Sequence, residues 1–283
     1  MNSLVEPQVQ VFSPSPDLAA FVRHYYLVDS PNPGISQITA AWTKQLLVLQ
    51  YGHRLRSSLG GAVRPVRDAA VNGAVTMPYF FQPEEARFRF FAIEFTDIGI
   101  YSLFRENSTA FVDTTVDAMG VIPRRKRQAI CDALYETEDV RRKVGLVEGF
   151  LRSLIPDPLE LGRIEHVRNA VAIIRESGGW ISVAELGEIL DISERHLRRQ
   201  FREVTGLAPK AFARILRFSG SIDALLKTGS ARGLYTDSYP DPEQGYVDQA
   251  HFNHEFKQFT GYAPGNLPAE RFQLFEVYSN IEL

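Results

Sequence analysis

With 283 residues and 45% hydrophobic side chains, the chain has enough apolar material for ordinary globular cores, and its length favours two domains over one. A formal net charge of −3 excludes a general nucleic-acid sponge, so any affinity for DNA must be local. A single cysteine, Cys131, excludes an intramolecular disulfide framework and fits a reducing compartment. The opening MNSLVEPQVQVF lacks a charged segment followed by an apolar core, and no apolar run approaches the ~18 residues that span a bilayer. A soluble, cytoplasmic protein with no membrane association is expected.

Residues 8 to 95 read as mostly β. QVQVF alternates, LLVLQYG is a buried-strand candidate, and RFRFFAIEF alternates before becoming continuously apolar. Asn72-Gly73 is the strongest hairpin-turn signal, Gly60-Gly61 a weaker one, and DSPNPG a loop. One helix is expected from Asp17 to about Tyr26. Many short strands with turn punctuation predict a small barrel or jelly roll. From Asp97 the period changes, and IGIYSLFRE, RRKRQAICDALYE and DVRRKVGLVEGFLRSLI read as helices. Pro156 and Pro158 then mark a boundary at about 156 to 162, before IEHVRNAVAIIRES opens the second half.

That half is organised around ISERHLRRQFREVTGLAP, Ile192 to Pro209. At about 100° per residue, Leu197, Phe201 and Val204 form an apolar stripe, and Arg195, Arg198, Arg199 and Arg202 gather on the opposite side. Ser193 suits the N-cap, and Gly206 stands where a helix exits through a left-handed residue. The preceding SVAELGEIL carries a capping-box pattern, Ser182 with Glu185. Helix, brief turn and helix with a basic face is the helix-turn-helix layout, whose second helix enters the major groove; guanidinium groups there suit phosphates and guanine edges. An ordinary helical hairpin with a solvated face fits this stretch equally well.

The repeat decides between them. VDQAHFNHEFKQFTGYAP, Val247 to Pro264, aligns without gaps and preserves His196/His251, Phe201/Phe256, Thr205/Thr260, Gly206/Gly261, Ala208/Ala263 and Pro209/Pro264. Its stripe is Phe252, Phe256 and Phe259. Between the copies, Pro209 to Lys227 reads as a connecting helix that Pro209 starts. Two such units joined by a helix resemble the AraC/XylS family of bacterial transcription regulators, over roughly residues 163 to 268. The resemblance implies base contact from positions 195, 198 and 199 in the first unit and 249, 250, 253 and 254 in the second. It also implies an N-terminal half that binds a small-molecule effector, dimerises, or does both, with RNA polymerase as a further partner.

The second unit departs from the family pattern. In place of SVAELGEIL it has DSYPDPEQG, and Pro240 and Pro242 disfavour a full first helix, at about 3 kcal/mol or more each. Residues 193 to 217 hold seven basic side chains against two acidic ones, whereas residues 229 to 260 hold two against five. Ala250, Asn253 and His254 stand where the first unit has Arg195, Arg198 and Arg199. The candidate DNA-contacting set is therefore Ser193, Arg195, Arg198, Arg199 and Arg202, joined by Gln249, Asn253, His254 and Lys257.

Catalytic and metal chemistry find little to stand on. A metal-binding cupin needs about two or three histidines with a carboxylate, and residues 1 to 160 hold only His24 and His53. His24 reads as a surface or core-edge residue and Cys131 as a small buried hydrophobe. No P-loop, dinucleotide fingerprint or nucleophile elbow is present. Arg124 to Arg127 reads as a solvated face at a helix start, and His251 with His254 as hydrogen-bonding rather than metal-ligating. Tyr79-Phe80-Phe81 reads as strand core, with an effector pocket as the alternative. A shared structural job is expected of His196 and His251, and the apolar face of DVRRKVGLVEGFLRSLI offers a dimer surface.

The expected fold class is α+β. A β-rich, cupin-like, barrel or jelly-roll sensor with appended helices (1–160) precedes an all-α double helix-turn-helix domain (161–270) and a tail (271–283). The expected function is a sequence-specific, effector-responsive DNA-binding regulator, homodimeric, with no cofactor, metal or catalytic residue. The alternative is an interaction protein on the same scaffold with weakened or lost DNA binding.

Overall fold

Alternation of apolar side chains fixes the N-terminal half. In the computed structural model, which describes residues 8–51, 55–59, 62–66, 69–118, 121–228 and 249–279, ten strands form two antiparallel sheets. They are β1 (Val9–Phe12), β2 (Val22–Pro31), β3 (Gln37–Thr39), β4 (Gln45–Gln50), β5 (Leu55–Leu59), β6 (Ala62–Val66), β7 (Ala69–Asn72), β8 (Tyr79–Pro83), β9 (Arg87–Phe95) and β10 (Thr115–Asp117). One sheet runs β1-β2-β9-β4-β7-β10 and the other β3-β8-β5-β6. These are two open sheets rather than a closed barrel, which leaves the second of the two expected arrangements, a jelly-roll-like pair of sheets. The bridge Trp42↔Val75 stands outside the named strands.

Along β2 and β9, successive residues point to opposite sides. Tyr25, Leu27, Phe91 and Ile93 join one core with Leu47 and Leu49. Tyr26, Val28, Phe90 and Ala92 join another with Leu46. The first core is roofed by α1 (Gly99–Phe104), α2 (Arg124–Glu136) and α3 (Val140–Arg152), through Leu103, Cys131, Leu134, Val147 and Leu151. The apolar side of α3, expected as a dimer surface, is thus inside the chain's own core.

Two further expectations need correcting. Residues 16–21 are turns rather than helix, and Val22–Pro31 is a strand. Val22, Tyr25, Tyr26 and Val28 favour extended backbone, and central pairing between β1 and β9 decides the matter. Asn72-Gly73 is no hairpin, since β7 pairs with β4 and β10 while β8 crosses to the other sheet. Gly73 instead lets the backbone press on residue 111, where an added Cβ would lie 2.7 Å from the Phe111 carbonyl oxygen. Tyr79, Phe80 and Phe81 pack against the second core from a strand, as expected, and Tyr79 and Phe81 also line a cavity between the sheets. Gly60-Gly61 lies outside the described residues, although β5 and β6 on either side pair antiparallel.

The second core continues into the C-terminal half without interruption. After α4 (Pro158–Gly162), capped by Asp157, come α5 (Glu165–Glu176), α6 (Val183–Ile189), α7 (Glu194–Thr205), α8 (Pro209–Thr228), α9 (Gln249–Thr260) and α10 (Gln273–Ser279). Helix α10 falls in the segment expected as a tail. Phe272, Leu274 and Phe275 are buried there, and Phe275 stacks on Trp42 at 6.0 Å. No helix among the described residues is long and apolar enough to cross a membrane.

Candidate nucleic-acid interface

Helix α7 begins where Ser193 accepts a hydrogen bond from His196 N and ends at Gly206, left-handed at φ 86°. Helix α6 before it carries the full capping box: Glu185 N donates to Ser182 Oγ (3.1 Å) and Ser182 N to Glu185 Oε2 (2.8 Å). Asp191 supplies a left-handed residue in the turn between them. Leu197, Phe201 and Val204 face the core at 1% exposure or less. Arg195, Arg198, Arg199 and Arg202 are exposed. Only Arg198 is held by a carboxylate among the described residues, Glu194 at 2.7 Å one turn earlier, and such exposed pairs are weak, about 0.3–0.5 kcal/mol.

The other basic residues counted beside this helix have different uses. Arg214 on α8 donates to Glu255 on α9 (3.0 and 2.9 Å), bracing the second unit against the connecting helix. Arg217 donates to the Gly179 carbonyl (2.5 Å) and lies over the Trp180 ring. Far away, Arg124, Arg125 and Lys126 are exposed at the start of α2, while Arg127 is buried.

The second recognition helix, α9, repeats the first in its inward chemistry. Phe252, Phe256 and Phe259 are buried, and Phe218 of α8 packs edge-on against the last two. Thr260 Oγ1 donates to the Phe256 carbonyl (2.8 Å) and accepts from Tyr262 N (3.0 Å); Thr205 Oγ1 does the same with Phe201 (2.8 Å) and Leu207 (3.3 Å). Gly261 is left-handed at φ 84°. Outwardly the two differ. Gln249, Asn253, His254 and Lys257 are exposed and Ala250 adds nothing polar. Pro240 and Pro242, and the segment expected to be the broken first helix, lie outside the described residues. His196 is half-buried against His166 of α5, with ring centroids 5.5 Å apart, whereas His251 is exposed.

Both helices are held at their exits by the N-terminal half, and nothing in the sequence marks the residues that do it. Ser108 Oγ donates to the Val204 carbonyl (2.7 Å) and Gln45 Nε2 to that of Thr205 (3.2 Å). Tyr101 donates to Glu203 at 3.2 Å. Ala41 N donates to the Phe259 carbonyl at 3.0 Å. Asp97 binds Arg175 of α5 through two contacts (2.9 and 3.0 Å) and Arg23 at 3.1 Å. Beside it Glu94 is buried among Tyr26, Lys44, Arg23 and His24. Burial pushes the Glu94 carboxyl up, but the His24 contact, the Lys44 charge and the Tyr26 hydrogen bond hold it down at about 2. Gln45 and Glu94 lie in strands, Tyr101 and Ser108 in short helices, and Ala41 and Asp97 between elements, a scatter with no sequence signal of docking.

Two helix-turn-helix recognition elements on one continuous core define a DNA-binding transcription regulator. Residues 186–269 match the family described as Helix-turn-helix domain, and residues 10–117 match a domain of unknown function, DUF6597. The matched helix-turn-helix region is the part of the chain whose repeat resembles the AraC/XylS family of transcription regulators. No curated protein matches it. Among solved structures, it is similar to an HTH_3 family transcriptional regulator from Vibrio cholerae, at 5% identity, 32% of this chain and TM-score 0.27. That likeness spans 51% of the other chain, about half its length. It is also similar to the AraC-like transcriptional activator CuxR, at 13% identity, 75% of this chain, 86% of the other and TM-score 0.30. Overlaps this loose carry no argument.

Proposed function

We propose that the chain recognises operator DNA chiefly through its first helix-turn-helix unit, with the N-terminal half as an effector-responsive sensor. The observation that carries this reading is the contrast between the exposed faces of α7 and α9. Arg195, Arg198, Arg199 and Arg202 stand on one, and Ala250, Asn253, His254 and Lys257 take the matching places on the other. Arginine pairs with guanine O6 and N7 through two bonds, so each such contact is worth about 1–3 kcal/mol of discrimination. Ser193, at the N-cap of α7, presents its end of the helix to a phosphate. Gln249, Asn253, His254 and Lys257 add a weaker second contact.

Footprinting on the promoter DNA flanking the gene tests this. Arg198→Ala with Arg199→Ala should abolish protection, whereas Asn253→Ala with His254→Ala should weaken it only a few-fold. Equal losses from the two pairs would sink the asymmetric reading. The excess of acidic over basic residues between 229 and 260 favours a second reading, an interaction protein whose DNA binding is weakened. Absence of any mobility shift for the wild-type chain would select it. For a second copy of the chain and for RNA polymerase as partners, the support is the family resemblance alone.

A further inference from the structure

The cavity between the two sheets has a chemistry of its own. It measures about 80 Å3, and Trp42, Leu46, Phe81 and Phe90 form apolar walls. Among the described residues, no charged side chain lines it. At one end Asn72 and Tyr79 meet the Thr115 hydroxyl, which lies 2.8 Å from Asn72 Oδ1 and 3.1 Å from the Tyr79 hydroxyl. These bonds use the carbonyl side of the Asn72 amide and leave its NH2 as a donor toward a ligand. An engineered apolar cavity of about 150 Å3 takes a benzene molecule. A space about half that size, open at one side, accommodates the buried part of a single ring or a short aliphatic body. A charged group inside it would meet no counter-charge from the described lining and would lose its hydration.

The walls of this cavity are also the seat of the second unit. Trp42 stacks on Phe275 of α10, and its neighbour Ala41 donates to the last turn of α9. On β8, Tyr79 and Phe81 face the cavity while Phe80 between them lies under the Arg271 guanidinium. Arg271 in turn donates to the Ser36 carbonyl (3.0 Å) and the Tyr262 hydroxyl (2.9 Å), and Gln37 of β3 donates to the Glu270 carbonyl (3.3 Å). The first unit rests elsewhere, on Gln45, Tyr101 and Ser108, none of which lines the cavity.

We propose that the cavity binds a small uncharged molecule with one ring or short aliphatic body and one hydrogen-bonding group, and that its occupancy acts on the second recognition helix and α10 but not on the first. This rests on the effector-responsive reading above and names the ligand class and the element it moves. A ligand filling the space presses on Trp42 and on β8. Displacement of Trp42 carries Phe275 and the Ala41–Phe259 bond with it. The contacts of α7 stay in place.

The chain's two tryptophans supply the test. In full-length Trp180→Phe, Trp42 is the sole indole reporter. Benzyl alcohol and cyclohexanol are titrated against its emission, with benzoate and glucose as charged and fully polar counterparts. The expected result is a saturable change with the two neutral probes, at least tenfold weaker binding of benzoate, and none of glucose. Adding Val48→Phe, which fills the cavity, should abolish the response while the melting transition is retained. Hydrogen exchange at probe saturation should then change across 249–262 and 271–279 and stay constant across 194–207. No saturable response to either neutral probe, benzoate binding as tightly, or a response that survives Val48→Phe overturns the ligand class. Exchange that changes in the first unit, or in neither, overturns the selective coupling. None of these readouts involves DNA, so their failure is separate from failure of the footprint.

Discussion

Helices α7 and α9 are each 12 residues long and share their inward chemistry almost group for group. Each ends on a threonine that ties its last turn to the next residue but one, followed by a left-handed glycine. On the outside one presents four arginines and the other a neutral-to-polar face with a single lysine. The docking differs too. The first exit is jammed against the N-terminal half, where a Cβ on Gly206 would lie 2.7 Å from Val112 Cγ2 and 3.0 Å from the Ser108 carbonyl. The nearest atom to a Cβ on Gly261 is Pro78 Cγ at 3.4 Å, ordinary contact. Folding and reading are therefore separable in this architecture. The stripe and exit of α7 persist in α9, where Ala250, Asn253, His254 and Lys257 stand in the places of its four exposed arginines.

If the two units share a scaffold, their cores should fail alike. Phe201→Ala and Phe256→Ala each remove a fully buried ring, and each should cost about 3–5 kcal/mol in chemical denaturation. A loss below about 1 kcal/mol at Phe256 alone would break the comparison, leaving α9 as a loosely attached element. The exits should then separate the units. Gly206→Ala and Gly261→Ala both force a side chain into the left-handed region, at about 1–2 kcal/mol. Gly206→Ala should cost about 1–3 kcal/mol more, because Val112 and the residue 108 backbone must give way. Equal melting shifts would remove the distinction between a jammed and a loose exit.

The C-terminal half was the more legible part of the sequence, because its signals are local. Capping box, stripe and glycine exit each lie within about one helix, and all are found where the pattern puts them. The N-terminal half reads poorly because its decisions are long-range. Asp17 to Tyr26 has an apolar spacing compatible with helix, yet β2 is settled by partners in β1 and β9, the latter some 70 residues away along the chain. Asn72-Gly73 carries a strong turn signal that lost to pairing with β10 and to the approach of Phe111. Of the candidate site, the exposed arginines were readable from helical periodicity alone. Gln45, Ser108 and Ala41 were not, since a buried polar side chain or a backbone N–H meets its partner only after the two halves assemble.

Beyond the cores and exits, salt sharpens the contrast between the faces. Arg202 and Lys257 occupy matching positions, both exposed and in the last turn of their helices. If the first unit carries the phosphate contacts, Arg202→Ala should weaken all sequences alike and reduce the slope of log affinity against log salt by about one unit. Lys257→Ala should reduce it by much less. A slope change of the same size for Lys257 would show the second unit equally engaged with the backbone.

The smallest expected difference lies in response to acid. His166 of α5 is half-buried, its ring tilted against that of His196 on α7, and the Arg199 guanidinium lies 3.4 Å from His196 Nδ1. Burial pulls the His166 pKa below its usual 6.5; Gln200 works the other way, and His196 nearby lowers it further. With the folded value depressed, the unfolded chain takes up its proton first as pH falls. Stabilisation from the neutral imidazole is thus fully present above about 6.5, and it is lost progressively as pH drops through 6.5 toward the lower folded value. The offset that relates His196 to His251 places Ser221, which cannot titrate, opposite His166. Amide exchange corrected for its intrinsic pH dependence should therefore quicken across 194–205 between pH 7.5 and 5.5, and far less across 249–260. His166→Phe should remove the difference. Acid sensitivity confined to α9, or unchanged in the His166→Phe chain, would place its origin elsewhere than in this histidine pair.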